Sequence, residues 1–176
     1  MGKLRKAVFF DRDGTLMEDV HYCNDPNAVR VFAGVSSVLR SLRISGWLVV
    51  LVTNQSGIAR GRITMEQYQS VHAEFLEQID HQMDAAYFCA DSPDAPTRRR
   101  KPGPGMLEEA ARDLGIDLGA SWMVGDKAVD IEAGRAAGCR TILVRTGCGS
   151  VESANGANVV ISDVVAAGEW ILNAGE

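Results

Sequence analysis

Short runs of consecutive apolar residues recur at Lys6 to Phe10, Trp47 to Thr53, Ala85 to Cys89, Ser121 to Val124, Arg140 to Val144 and Asn158 to Ile161. Runs of this length without polar alternation predict strands buried on both faces. Between them the period changes. Val35, Val38, Leu39 and Leu42 fall at i, i+3, i+4 and i+7, a single apolar helix face that Gly46 closes. Thr64 with Gln67 forms a capping-box pattern, opening a helix whose inner side is Tyr68, Val71, Phe75 and Ile79. Pro104 suits the first turn of a third helix, carrying Met106, Leu107, Ala110 and Leu114, with Gly115 as its stop. Residues 128 to 138 predict a shorter fourth helix ending at Gly138. Strands and helices in alternation predict an α/β fold, a doubly wound parallel sheet covered on both faces. Ligands in such sheets bind beyond the carboxyl ends of the strands, where strand order reverses, so those ends are where chemistry is sought.

Composition narrows the classes. The 176 residues, 46% hydrophobic and 23% charged, fit one ordinary folded domain over residues 1–176 and exclude disordered, collagen-like and coiled-coil chains. The longest apolar run, Trp47 to Val52, is far short of the roughly 18 to 20 residues that cross a bilayer, so no membrane partner is expected. Asp11 and Asp13 interrupt the N-terminal apolar stretch before a leader core forms. Four cysteines without close pairing suit reduced thiols, and the expected compartment is the cytoplasm. A net charge of −5 argues against a general nucleic-acid surface. The one basic run is Arg98 to Lys101, which in isolation would read as a solvated turn.

Three strand ends carry unusual chemistry. The first strand runs into Asp11-Arg12-Asp13-Gly14-Thr15, where a turn can bring carboxylate and carbonyl oxygens toward a hard divalent cation, with Mg²⁺ the default. The second ends in Thr53-Asn54-Gln55-Ser56-Gly57, small hydrogen-bonding residues that can surround an anion or merely form a polar turn. The fourth ends in Gly125-Asp126, followed by Lys127 and Asp130; Asp126 is either a third metal ligand or a helix cap. A phosphate dianion about 4 Å from a carboxylate is repelled by roughly 8 kcal/mol at an effective dielectric of 20. A cation and a lysine would offset that repulsion, and Lys101 is the candidate.

Taken together, D-x-D-G-T, T-N, R-K-P and G-D-x-x-x-D resemble the haloacid dehalogenase superfamily of aspartate-dependent phosphatases. The segments Asp11 to Thr15, Thr53 to Gly61, Arg100 to Pro102 with Pro104 to Met106, Met123 to Lys127 and Val144 to Gly147 look more narrowly like the D-glycero-D-manno-heptose 1,7-bisphosphate phosphatases, relatives of the histidinol-phosphatase domain. The resemblance implies that Asp11 is the nucleophile and Asp13 the general acid and then base. It implies Mg²⁺ on the Asp11 side chain, the Asp13 carbonyl and Asp126. It puts Thr53, Asn54 and Lys101 on the transferring phosphoryl group. Substrate contacts carry over to Asp19, His21, Tyr22, Gln55, Ser56, Arg100 and Lys127. His21 and Tyr22 can alternatively pack a loop, and Lys127 can simply pair with Asp130.

One departure is evident. The family's structural zinc loop has the form C-x-H followed by C-x-C before R-K-P; here Cys89 remains, but the later positions read Asp91, Thr97 and Arg99. No structural zinc is expected. About 40 residues separate Asp13 from Thr53 and about 48 separate Thr53 from Lys101, too few for an added cap domain. The expectation is an open site in a monomer that takes a small phosphorylated sugar and no nucleic acid. Three alternatives stay open: a histidinol-phosphate or other metabolite phosphatase, a nucleic-acid end phosphatase, and a non-catalytic phospholigand-binding protein.

Overall fold

The computed structural model describes residues 4–148 and 155–174. Among them, six strands form one parallel sheet: β1 (Ala7–Phe10), β2 (Leu48–Asn54), β3 (Ala85–Cys89), β4 (Trp122–Gly125), β5 (Arg140–Val144) and β6 (Val159–Ile161). Their spatial order is β3-β2-β1-β4-β5-β6, so the chain reverses direction across the sheet between β1 and β4. The doubly wound expectation holds, and no added cap stands over the sheet among the described residues.

Among the described residues, five α-helices cover the two faces: α1 (Val35–Ile44), α2 (Met65–Gln78), α3 (Gly105–Leu114), α4 (Ala128–Ala136) and α5 (Val164–Ala174). Alternation along β1 divides the core. Val8 and Phe10 join the apolar sides of α1, α2 and α5, whereas Ala7 and Phe9 join α3 and α4. Every residue of β1 and β4 is buried, as continuous apolar runs demand when both faces are covered. The Thr64 capping box forms as expected, and Gly115 ends α3 with φ 65°.

One element departs from the sequence reading. Helix α5 was not foreseen, because its segment is apolar on most sides and Gly168 lowers helix propensity by roughly 1 kcal/mol. That glycine is needed where it is: a Cβ there would collide with Val38 of α1. Asp163 supplies the missed start signal, its Oδ1 accepting from the Ala166 N–H at 2.9 Å.

Candidate active site

Pairing of β1 with β4 sets the site. The Asp11 N–H donates to the Val124 carbonyl at 3.0 Å, so the two strand tips finish side by side and their acidic residues face one space. The chain turns at once, with the N–H groups of Leu16 and Met17 donating to the Arg12 carbonyl at 2.9 and 3.1 Å. Gly14 takes φ 88°, and a Cβ built on it would lie 2.5 Å from Asp126 Oδ2. Only glycine therefore permits both the turn and the approach of Asp126. Asp126 is fully buried; Thr15 Oγ1 donates to its Oδ1 at 3.2 Å and the Cys148 N–H to its Oδ2 at 2.8 Å. It is thus not the helix cap of α4. The N-cap of α4 is Lys127, whose N–H donates to Oδ2 of Asp130, three residues on, at 3.0 Å.

Lys101 lies 2% exposed in the middle of the acidic residues. Its Nζ donates to Asp11 Oδ1 at 2.7 Å and to the Val52 carbonyl at 2.8 Å, and it lies 2.7 Å from Asp130 Oδ1. Burial works against the charged form of Lys101, yet the Asp11 and Asp130 carboxylates outweigh it and raise its pKa. The lysine is placed from β2: Asn54 exchanges two hydrogen bonds with the Lys101 backbone, Nδ2 to O at 3.0 Å and N to Oδ1 at 3.1 Å.

One oxygen each from Asp11, Asp126 and Asp130 lies within 4.8 Å of the others, all three residues buried. Burial pushes the Asp126 carboxyl above its ordinary range, with Asp11 adding to the effect, and raises Asp130 against the pull of Lys101. Three converging carboxylates against one ammonium leave negative charge that a hard divalent cation would neutralise with its preferred oxygen donors, so the set fits Mg²⁺.

Above this floor opens a pocket of about 220 Å³, lined by all the expected side chains except Thr53 and Asp126. Thr53 is 1% exposed, its hydroxyl accepting from Gln55 Nε2 at 3.0 Å. The same Gln55 nitrogen donates to Asp13 Oδ2 at 2.9 Å, and Arg12 grips Asp13 from the other side. On the rim, Lys127 Nζ pairs with Asp19 Oδ2 at 3.0 Å, so its side chain bridges to the first loop rather than to Asp130. His21 packs on Tyr22 with ring centroids 4.4 Å apart, and the Tyr22 hydroxyl accepts from Arg60 Nη1 at 2.9 Å. Arg100 Nη1 donates to the Asp91 carbonyl at 3.0 Å. In the loop without the zinc pattern, Asp91 Oδ2 accepts from both the N–H and the hydroxyl of Thr97, which closes residues 91–97 by hydrogen bonds.

Sequence reasoning passed over Asp130, Thr15 and Arg12 as parts of the site. The spacing in G-D-x-x-x-D held the signal for Asp130: four residues on a helix start return its carboxylate to the strand tip. Thr15 and Arg12 gave no comparable signal.

A parallel sheet with acidic residues at the tips of β1 and β4, and a buried lysine between them, defines a haloacid dehalogenase-like hydrolase. Residues 98–167 match the HAD-hydrolase-like family model. The D-glycero-beta-D-manno-heptose-1,7-bisphosphate 7-phosphatase of Yersinia pestis is 40% identical over 95% of this chain and 89% of its own. The corresponding protein of Thermosynechococcus vestitus is 38% identical over 95% of both chains. The crystal structure of the D,D-heptose 1,7-bisphosphate phosphatase from B. bronchiseptica, complexed with magnesium and phosphate, superposes with a TM-score of 0.87 at 31% identity, over 96% of this chain and 99% of that one. The chain belongs to the heptose-1,7-bisphosphate 7-phosphatase family.

Proposed function

We propose that this protein is a phosphomonoesterase that removes the 7-phosphate of a D-glycero-D-manno-heptose 1,7-bisphosphate through an aspartyl-phosphate on Asp11. The observation that carries this reading is the buried Lys101 ammonium, 2.7 Å from both Asp11 and Asp130, under a pocket open to solvent. An isolated carboxylate would repel a phosphate; one whose charge is shared with a lysine can reach phosphorus. Asp11 Oδ2 is the oxygen left for attack, since Oδ1 accepts from Lys101. Asp13 protonates the leaving sugar oxygen and then takes a proton from the water that cleaves the acyl phosphate. Asp11, Asp126 and Asp130 would hold Mg²⁺, with the Asp13 carbonyl as a further oxygen donor. When bound, the ion supplies positive charge against the equatorial phosphate oxygens.

The rim supports a doubly phosphorylated sugar. Arg100 and Lys127 put two cations on the pocket wall, away from the Lys101 floor, where a second phosphate can meet them. Asp19, His21, Tyr22, Gln55 and Ser56 offer polar groups and ring faces to sugar hydroxyls. The family relatives named for this substrate support it as well. Four free thiols, three of them buried, support a reducing compartment, the cytoplasm.

The test is a set of specificity constants on heptose 1,7-bisphosphate, histidinol phosphate and fructose 1,6-bisphosphate, with Mg²⁺ and with chelator. Heptose bisphosphate should lead by at least about tenfold, with turnover lost on chelation. Preference for histidinol phosphate would overturn the substrate; turnover unaffected by chelator would overturn the metal.

A further inference from the structure

The most unusual side chain near the site takes no direct part in attack on phosphorus or in proton transfer. Arg12 sits between the two reactive aspartates, and its guanidinium is 1% exposed. It is among the largest fully buried side chains of the protein. Its Nε donates to Asp13 Oδ2 and its Nη2 to Asp13 Oδ1, each at 3.2 Å, so the planar fork meets both carboxylate oxygens. The guanidinium carbon lies 5.7 Å from the ring centre of Tyr68, which is itself 5% exposed. Nη1 is buried and reaches no protein acceptor among the described residues.

A structural role explains this poorly. A buried charge is costly, and an apolar side chain of similar volume usually serves packing as well or better. The fork does, however, solve a positional problem. Asp13 lines the open pocket, where a free carboxylate would sample several rotamers. Arg12 holds it from behind, and Gln55 Nε2 holds Oδ2 from the side at 2.9 Å. The arginine springs from a turn fixed by its carbonyl, which accepts from the Leu16 and Met17 N–H groups, and its side chain is enclosed by its burial and the Tyr68 ring.

We propose that Arg12 is a positioning residue that fixes the Asp13 carboxylate for both proton transfers, with the Tyr68 ring as its backstop. The inference rests on the phosphomonoesterase reading. It bears most on the second half-reaction, in which a water oxygen bonds to phosphorus, the bond from phosphorus to the Asp11 oxygen breaks, and the water's proton passes to Asp13. No fast leaving group can relieve that step.

The experiment compares wild type, Arg12→Met and Arg12→Lys on a sugar phosphate and on p-nitrophenyl phosphate, whose leaving group needs little protonation. Misplacing a reacting group by about 1 Å costs up to 10²-fold. Arg12→Met should therefore lower kcat on the sugar phosphate by roughly 10- to 100-fold, with KM and inhibition by inorganic phosphate within about twofold of wild type. On p-nitrophenyl phosphate a burst should persist and phosphoenzyme should accumulate, as the first step continues and the second slows. Arg12→Lys keeps a buried charge without the fork and should show the same split, which carries the test if the methionine variant fails to fold. Wild-type kcat per folded site and wild-type phosphoenzyme levels in the folded variants, even with a lowered Tm, would overturn the proposal. A wild-type chain that releases no phosphate from any phosphomonoester would instead overturn the functional reading on which it stands.

Discussion

Replacing Lys101 with methionine removes one charge while nearly keeping the volume, and the structure gives the cost a scale. Unit charges 2.7 Å apart, the separation of Lys101 Nζ from both Asp11 and Asp130, attract by roughly 6 kcal/mol each at an effective dielectric of 20. Desolvation of the ammonium cancels much of this, and removal of one partner from a buried ion pair costs about 3–5 kcal/mol in practice. Here the change strands two carboxylates beside a third, Asp126. The upper part of that range is expected without metal, about 4–5 kcal/mol. For a chain of this size that is a fall in Tm of about 10–20 °C. Urea unfolding at pH 7.5, with chelator and then with Mg²⁺, measures it. Mg²⁺ should stabilise the variant more than the wild type, because the ion replaces part of the missing charge. Turnover should fall by at least about a hundredfold even in Mg²⁺. A loss of stability under about 1 kcal/mol together with retained turnover would refute the charge balance proposed for the floor of the site.

Other outcomes follow from the same geometry. Gly14→Ala forces a Cβ to within 2.5 Å of Asp126 Oδ2 at a backbone φ of 88°, and should weaken Mg²⁺ binding by at least about tenfold in titration calorimetry, with a backbone penalty of roughly 1–2 kcal/mol. Asp126 and Asp130 hold their protons more tightly than in the unfolded chain. Stability from their protonated forms is therefore present at low pH and lost as pH rises from about 4 through their raised values. Mg²⁺ needs the deprotonated forms, so the rise in Tm that it produces should grow between about pH 5 and pH 7.5; a rise that shrinks over that range would contradict the assignment. With Asp91 tied to Thr97 by hydrogen bonds, purified protein should carry no stoichiometric zinc by elemental analysis, and a zinc-selective chelator should leave Tm unchanged.

The sheet was legible because its central strands, buried on both faces, leave uninterrupted apolar runs. The edge strands β3 and β6 are only partly buried, contrary to the same expectation, because no further strand among the described residues covers their outer edge. Yet each of the six starts within one residue of its expected position. The first four helices were legible from single apolar faces and from caps such as Thr64 with Gln67. Helix α5 was not, since its apolar surround hides the period and Gly168 reads as a breaker until Val38 is known to press against it. At the site, spacing located Asp11, Asp13, Lys101 and Asp126 in sequence. Their convergence depends on β1 pairing with β4, which local pattern does not specify. The pairing of Lys127 with Asp19, 108 positions apart, and the burial of Arg12 likewise arise only when the loops meet. The polar residues that sequence reading treated as separate substrate contacts are in part each other's partners.

The central claim is that phosphorus becomes bonded to Asp11. Rapid acid quench during turnover of p-nitrophenyl phosphate, borohydride reduction of the acyl phosphate to homoserine, and peptide mass spectrometry would test it directly. The account predicts homoserine at position 11 and nowhere else, absent in Asp11→Asn. Full turnover with no modified residue, or modification at Asp13, Asp126 or Asp130 in place of Asp11, would contradict it.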